Sequence, residues 1–407
     1  MFQPATLPEQ YAAAQTDDLR VLVVGAGMAG LTAAQLLRHH GRHPVLVDRA
    51  RDVDALLDEN KAGYMLAMMP MVDPVFDTLG LWHDYLPRGV PLARYGLHDS
   101  RGRQVRDDSM SELLSAYGSY QGIARGELIE SLASPGCPAT FGTTVGALTE
   151  TDDHTVATLL VDDRRVDLAF DLVVIADGIH STTRRLVRAG RQVDVLDTGW
   201  GGWVVWAPED ADPDLGSELW GQGFFVGAYP VQGRLGVFLG GPHGRTAIGP
   251  AEFATRARRA LRTVPPRIDS CLTAVASAED PYYWPLADCR APHWADRRTV
   301  LLGDAAAGFL PTAGIGAAMA MESAWVLASD LRHATVDTLG RVLDDYEAAQ
   351  RPRVEAAQQT SRDLARWMFS TSGRLARARD LVMRMVSVKV ALRPIQQLLD
   401  DRPTPGR

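Results

Sequence analysis

A glycine-rich turn between an apolar run and a helix-like segment limits the folds open to this chain more than any other feature. The apolar run 20–24 is followed at once by the turn 25–30, which reads Gly-Ala-Gly-Met-Ala-Gly. The apolar residues of Met28–His40 share one helical face, and a second apolar run, Pro44–Val47, follows. This order predicts a strand–helix–strand unit of a parallel sheet.

The three glycines and the acid after the second strand predict a dinucleotide site. Gly25 allows the tight turn, Gly27 lets the backbone approach a pyrophosphate, and Gly30 lets helix and strand pack closely. The phosphates would lie at the helix N-terminus. Asp48 would bind a ribose and would disfavour NADP at this site. FAD and NAD both remain open here, and the alternative is a glycine-rich turn with Asp48 as a solvated strand end.

Two later segments, 171–184 and 298–316, repeat the pattern of a buried strand that ends in a small-residue turn carrying an aspartate. The paired residues of these turns are Asp177 with Gly178, and Gly303 with Asp304. Ligands of doubly wound sheets bind at the carboxyl ends of strands. The three strand ends are therefore expected to face one crevice.

With these motifs the chain resembles the single-component FAD-dependent aromatic hydroxylases, of the p-hydroxybenzoate hydroxylase type, from Val21 to about Arg353. The segment 123–128 is similar to the family's Arg-x-x-Leu helix start. The resemblance implies an α/β fold: a Rossmann-like FAD-binding domain of the glutathione reductase type, an inserted β-sheet substrate domain and C-terminal helices. The expected boundaries are 18–75, 110–195 and 285–370 for the FAD-binding domain, 76–109 and 196–284 for the substrate domain, and 371–407 for the C-terminal helix and tail.

The same resemblance implies roles for individual residues. Asp48 would bind the adenosine ribose, Arg125 would face the flavin or its phosphates, and Asp304 would bind the ribityl chain. The Asp177–Gly178 pair would shape the FAD site and help to admit the nicotinamide donor, and Arg49 is a further candidate. The predicted cofactor-binding residues are Gly25, Gly27, Gly30, Asp48, Arg49, Arg125, Asp177, Gly178, Gly303, Asp304, Pro311, Gly314 and Gly316.

The turn Pro311–Gly316 precedes a predicted long helix, 315–331. By the resemblance, this turn lies beside the isoalloxazine ring, where the helix N-terminus would stabilise an anionic reduced flavin. The alternative is a helix of small residues packed in the core. The family's usual His, Asn and Asp in this region are Ala307, Ala318 and Ser323 here, which leaves the substrate subgroup open.

Aromatic residues crowd the segment between the Asp-Gly and Gly-Asp turns. Trp203 and Phe225 are the predicted substrate contacts, although alternating aromatic residues can equally be core. Ligand pockets are mostly apolar with few polar anchors, so a large, apolar, aromatic substrate is expected.

The resemblance implies a monooxygenase that uses NAD(P)H and dioxygen through a flavin 4a-hydroperoxide. The nicotinamide donor would bind transiently, because the sequence has no second glycine motif of this kind. No catalytic side chain or metal site is predicted, since the chemistry would belong to the cofactor. The alternatives are a reductase or dehydrogenase without oxygen insertion, a silent FAD-binding partner, and a flavin halogenase, whose Trp-x-Trp-x-Ile-Pro segment is absent.

Composition excludes several other classes of protein. The net charge of −8 disfavours a nucleic-acid binder, and three cysteines match neither a disulfide scaffold nor a zinc site. Without a signal-like segment or a convincing membrane span, a cytoplasmic enzyme is expected. The basic segment Arg374–Leu399 would pack on its own domain, or on a membrane or partner. The oligomeric state stays open.

Overall fold

The structure is a computed structural model that describes residues 1–58, 65–161 and 164–405. The strands are β1 Phe2–Pro4, β2 Val21–Val24, β3 Val45–Val47, β4 Met65–Met68, β5 Val90–Pro91, β6 Arg94–His98, β7 Gln104–Ser109, β8 Gln121–Ala124, β9 Cys137–Ala139, β10 Thr143–Glu150, β11 Thr155–Val161, β12 Arg164–Phe170, β13 Leu172–Ile175, β14 Asp194–Pro208, β15 Leu215–Trp220, β16 Phe225–Val231, β17 Arg234–Pro242, β18 Tyr282–Arg290, β19 Ala295–Asp296, β20 Thr299–Leu301 and β21 Ala307–Gly308. The helices are α1 Leu7–Ala14, α2 Met28–His39, α3 Val53–Leu57, α4 Asp73–Leu79, α5 Trp82–Tyr85, α6 Met110–Leu114, α7 Arg125–Ala133, α8 His243–Thr246, α9 Pro250–Ala260, α10 Pro266–Ser277, α11 Gly316–Asp330, α12 Leu339–Met368, α13 Gly373–Met385, α14 Val388–Ala391 and α15 Arg393–Asp400.

The first layer is a five-stranded sheet of order β19–β20–β13–β2–β3, in which β2, β3, β13 and β20 run parallel. All residues of β2 and β13 are buried, as expected for a parallel sheet covered on both faces. Helix α2 connects β2 to β3 and contacts α11. The predicted strand–helix–strand unit is confirmed, and α2 ends one residue earlier than expected.

The second layer is an eight-stranded sheet of order β21–β18–β14–β17–β16–β15–β6–β7. Its strands come from three separate stretches of the chain, 94–109, 194–290 and 307–308, and β6 pairs with β15 in parallel. One face packs on α9 and α10 through residues such as Trp203 and Leu219. The other face packs on α12 and α13 through residues such as Phe225 and Phe238. The predicted α/β architecture with an inserted β-sheet is thus confirmed.

Three small sheets complete the fold: β10–β11–β12, β4–β8–β5 and β1–β9. The C-terminal helices α12 to α15 lie against the second sheet and the first layer. Helix α13 buries Ala376, Arg379, Asp380 and Met383 against its own chain. Within the described residues, no helix combines the length and the apolar character that crossing a membrane requires.

Candidate active site

A cavity of about 1650 Å³ lies between the carboxyl ends of the parallel strands and the eight-stranded sheet. Ligand pockets usually measure about 300–1,000 Å³, so this cavity has room for a dinucleotide and a second molecule. All of the predicted cofactor residues line it except Gly30 and Gly303. The opposite end is lined by side chains of the eight-stranded sheet and of the C-terminal helices, among them Tyr95, Glu218, Trp220, Phe225, Phe238, Met383 and Val386.

The three glycines of the turn serve two purposes. Gly25 and Gly30 allow close packing within the protein, whereas Gly27 leaves space for a ligand. A Cβ on Gly25, where φ is +105°, would lie 2.5 Å from the carbonyl oxygen of Ala176. A Cβ on Gly30 would overlap the carbonyl oxygen of Gly25. A Cβ on Gly27 would meet no atom within 4 Å. Gly27 is also the N-cap of α2 and contributes no capping side chain, so this helix end suits a phosphate group.

The carboxylate of Asp48 connects the same turn to the segment that follows β3. One oxygen accepts a hydrogen bond from the backbone N–H of Ala26 and the other from that of Ala50, each at 2.7 Å. Carboxylate oxygens have further acceptor positions, so Asp48 can still accept from a ribose. Arg125 begins α7 and donates from Nη1 to the carbonyl oxygen of Leu56 at 2.7 Å, which holds a positive charge at the cavity wall.

Asp177 and Asp304 follow β13 and β20 and line the cavity. One oxygen of Asp177 accepts from the N–H of Thr183 at 3.3 Å, and the other is buried without a hydrogen-bond partner. No described residue donates a hydrogen bond to the carboxylate of Asp304. Burial raises the pKa of Asp304 to about 6, and the positive charge of Arg184 opposes this shift. Both carboxylates therefore suit a ligand that carries hydroxyl groups, such as the ribityl chain of FAD.

Arg184 joins the two aspartate-bearing turns. It donates from Nη2 to the carbonyl oxygen of Ile179 at 2.7 Å and from Nη1 to that of Ala305 at 3.2 Å. Its Nη1 also lies 3.4 Å from Sγ of Cys289. This buried guanidinium sets the separation of the two turns, and it belongs to the motif 171–184 without having been assigned a role from the sequence.

The turn Pro311–Gly316 lines the cavity through Pro311, Gly314 and Gly316. Gly314 adopts φ +63°, a conformation that favours glycine. Helix α11 then begins at Gly316, and its N-cap residue Ile315 makes no side-chain cap. The predicted helix is thus present, and its uncapped end is next to the cavity.

The two predicted substrate residues lie on opposite faces of the eight-stranded sheet. Phe225 lines the cavity and packs 6.0 Å from Phe238 between ring centroids. Trp203 lies on the other face, where its ring packs against Phe253 and Tyr283. It is not among the residues that line the cavity, and this placement does not support a substrate contact.

A buried carboxylate that the sequence analysis did not select lies at the sheet end of the cavity. Glu218 accepts hydrogen bonds from the Tyr95 hydroxyl at 2.7 Å, the Trp220 indole at 2.8 Å and the Tyr229 hydroxyl at 2.5 Å. The sequence pattern that could have identified Glu218 is the alternation in β15, where Glu218 and Trp220 lie on one face of the strand and Leu219 lies on the other. A glutamate in such a strand ordinarily predicts a solvent-facing position.

Comparisons with known proteins identify the family. Residues 18–361 match the family described as "FAD binding domain". The chain is 29% identical over 397 residues to 3-amino-4-hydroxybenzoate 2-monooxygenase of Streptomyces cremeus, covering 90% of this chain and 92% of that protein. It is 28% identical over 392 residues to 6-methylpretetramide 4-monooxygenase of Streptomyces rimosus, covering 92% of this chain and 90% of that protein.

The fold is also similar to that of HpxO from Klebsiella pneumoniae, solved in complex with FAD and uric acid. The TM-score is 0.79 at 23% identity, covering 94% of this chain and 96% of the other. The match to the family covers most of the chain and includes every predicted cofactor motif. The chain therefore belongs to the FAD binding domain family and is a flavin-dependent monooxygenase, as its resemblance to the single-component aromatic hydroxylases implied.

Proposed function

We propose that the enzyme takes electrons from NAD(P)H and inserts one oxygen atom of dioxygen into an apolar aromatic small molecule, in the manner of natural-product tailoring. The observation that carries this proposal is the continuity of the cavity. One end has the glycine turn and the carboxylates of Asp48, Asp177 and Asp304. The other end is lined by aromatic side chains. A dinucleotide and an aromatic molecule would therefore meet in one space.

The residues at the first end would hold FAD. The N-terminus of α2 would bind the pyrophosphate, Asp48 a ribose, and Asp304 the ribityl hydroxyls. The uncapped end of α11 would contact the flavin ring and stabilise negative charge there. When bound, FAD would supply the redox chemistry that activates dioxygen.

The residues at the second end would exclude water and orient the substrate. Trp220, Phe225 and Phe238 form an apolar wall, and Val382 and Met383 of α13 close the space from the side of the C-terminal helices. An oxygenating flavoenzyme needs water to be excluded because water promotes the release of hydrogen peroxide without oxygenation of the substrate. Names of relatives give further support, since the two Streptomyces proteins are monooxygenases of 6-methylpretetramide and of 3-amino-4-hydroxybenzoate, and the second compound has a benzene ring.

The test is coupled turnover by the FAD-loaded enzyme. Oxidation of NADH and of NADPH would be followed together with oxygen uptake, with and without a panel of phenols and polycyclic aromatic compounds. We expect an active compound to stimulate both rates and to gain one oxygen atom by mass spectrometry. If a compound stimulates NAD(P)H oxidation but is recovered in a reduced form that has gained no oxygen atom, the enzyme is a reductase instead.

A further inference from the structure

The carboxylate of Glu218 and the hydroxyl oxygens of its tyrosine partners present hydrogen-bond acceptors toward the cavity. Glu218 is 8% exposed and comes from β15, while its partners Tyr95 and Tyr229 come from β6 and β16. Both hydroxyl groups and the Trp220 indole direct their protons at the carboxylate. We call Glu218, Tyr95 and Tyr229 the acceptor wall.

The protons and acceptor positions of Glu218 and Tyr95 determine which hydrogen bonds this wall can make to a ligand. A carboxylate has about four acceptor positions and no proton to donate when ionised, and three of those of Glu218 are occupied. A tyrosine hydroxyl has one proton, and that of Tyr95 goes to Glu218. The Tyr95 oxygen can then only accept a hydrogen bond from a ligand. A molecule in the cavity is therefore offered acceptors here, next to the apolar surfaces of Phe225 and Phe238.

Three arginines that line the cavity, Arg94, Arg106 and Arg379, have partners within the protein. Arg94 pairs with Asp212 and Asp214, each at 2.7 Å, and Arg106 binds Asp108. The terminal nitrogens of Arg379 donate to four backbone carbonyl groups, and its Nε is buried without a hydrogen-bond partner. These guanidinium groups are thus already committed, and an anionic ligand would meet the carboxylate of Glu218 without a matching cation.

We propose that the acceptor wall is the polar anchor of the substrate subsite, and that it selects a neutral aromatic molecule bearing an O–H or N–H donor over its methylated or carboxylate analogue. Glu218 and Tyr95 are then specificity residues of the oxygenation reaction. This inference rests on the function proposed above, and what it adds is a residue-level basis for choosing a neutral donor over an anionic molecule. An unmade hydrogen bond to a charged buried group is costly, so discrimination of about tenfold or more is expected.

The test compares three probes of one ring system on the FAD-loaded enzyme by isothermal titration calorimetry: 2-naphthol, 2-methoxynaphthalene and 2-naphthoate. We expect 2-naphthol to bind about tenfold or more tightly than each of the others. The double variant Tyr95→Phe/Glu218→Gln removes the Tyr95 oxygen and leaves one amide oxygen for the protons of Trp220 and Tyr229, so the preference over the ether should fall to less than about threefold. Tyr282→Phe is the matched control, because Tyr282 lines the cavity without contacting Glu218, and the preference should remain.

A gain of binding gives a test that misfolding cannot imitate. Glu218→Gln removes the negative charge and adds an amide donor, so 2-naphthoate should bind more tightly to this variant than to the wild type. Equal affinities for the three probes, tighter binding of 2-naphthoate by the wild type, or no binding of any probe would overturn the inference.

The two proposals fail separately. If the binding preference is found but no aromatic compound gains oxygen, the acceptor wall stands and the oxygenase function fails. If oxygenated products form from compounds that bind without regard to a donor, the function stands and the acceptor wall fails.

Discussion

Arg362 on α12 binds the carboxylate of Asp288 on β18 at two points, with both nitrogen–oxygen distances at 2.8 Å. Asp288 is fully buried. The pair fastens α12 to the eight-stranded sheet, and the following turns of α12 line the cavity through Asp363, Leu364 and Trp367. One ion pair therefore links the stability of the protein to the shape of its candidate substrate site.

Arg362→Met should destabilise the protein by about 3–5 kcal/mol, because it leaves the buried carboxylate of Asp288 without its partner. The measurement is the free energy of unfolding from urea titration. Arg366→Met is the matched control on the same helix, since Arg366 pairs with Asp363 at the surface, and its cost should stay below about 1 kcal/mol. Equal losses for the two variants would contradict a structural role of the buried pair.

Gly27→Ala and Gly30→Ala should separate cofactor binding from folding. The Cβ on Gly27 enters the cavity, so this variant should fold normally and bind FAD about tenfold or more weakly. The Cβ on Gly30 meets the backbone of Gly25, so this variant should lose about 1–3 kcal/mol of stability or more. Thermal unfolding of the apoprotein and FAD fluorescence titration measure the two effects. Unchanged FAD affinity of Gly27→Ala would mean that the phosphates do not lie at α2.

FAD affinity should depend on the protonation of Asp304. The pKa of this group is raised to about 6 by burial, so below pH 6 its carboxyl is mostly protonated. Hydroxyl groups of the ribityl chain would donate to the charged form and lower its pKa on binding. Binding would then release a proton, so the affinity should rise with pH, by up to about tenfold per unit below pH 6, and level off above pH 7.

The control for this prediction is Asp304→Asn. This variant should bind FAD more weakly than the wild type, and its affinity for FAD should not rise with pH. Fluorescence titration of both proteins between pH 5 and 8 provides the data. A wild-type affinity that falls as pH rises through 6 would exclude the proposed contact.

Arg379→Met should loosen the C-terminal side of the cavity. Arg379 on α13 donates to the carbonyl groups of Trp367, Met368, Trp220 and Gly221. Losing these bonds leaves several buried carbonyl groups unpaired, at a cost of about 3 kcal/mol or more. We also expect more of the NAD(P)H consumed to appear as hydrogen peroxide, because water would enter the cavity.

Arg377→Met serves as the control for that variant, because Arg377 is exposed on the same helix and donates a hydrogen bond to the carbonyl oxygen of Gly373, one turn earlier. Peroxide yield per NAD(P)H should match the wild type. An Arg379→Met enzyme with the stability of the wild type and the same yield of peroxide per NAD(P)H would show that α13 does not exclude water from the cavity.

The dinucleotide end of the site could be predicted because its determinants are local in sequence. Gly25, Gly27 and Gly30 lie within one turn, and Asp48 closes the next strand, so spacing alone indicates their geometry. The parallel sheet follows from apolar runs separated by a helical pattern. These features do not depend on distant contacts.

The substrate end could not be predicted in the same way. Both faces of the eight-stranded sheet are buried, so alternation does not reveal that Phe225 faces the cavity while Trp203 faces α9 and α10. Two partners of Glu218, Tyr95 and Tyr229, come from β6 and β16, which only the folded topology brings beside β15. Arg379 is one of many arginines in a basic segment, and only its neighbours in the fold distinguish it from those at the surface.

Insertion of oxygen from dioxygen is tested most directly by turnover under ¹⁸O₂ with a phenolic substrate from the panel, analysed by mass spectrometry. We expect a product that carries one ¹⁸O atom, with NAD(P)H and dioxygen consumed in equal amounts. A product formed at the same rate without dioxygen, or one that carries oxygen only from water, would contradict this insertion.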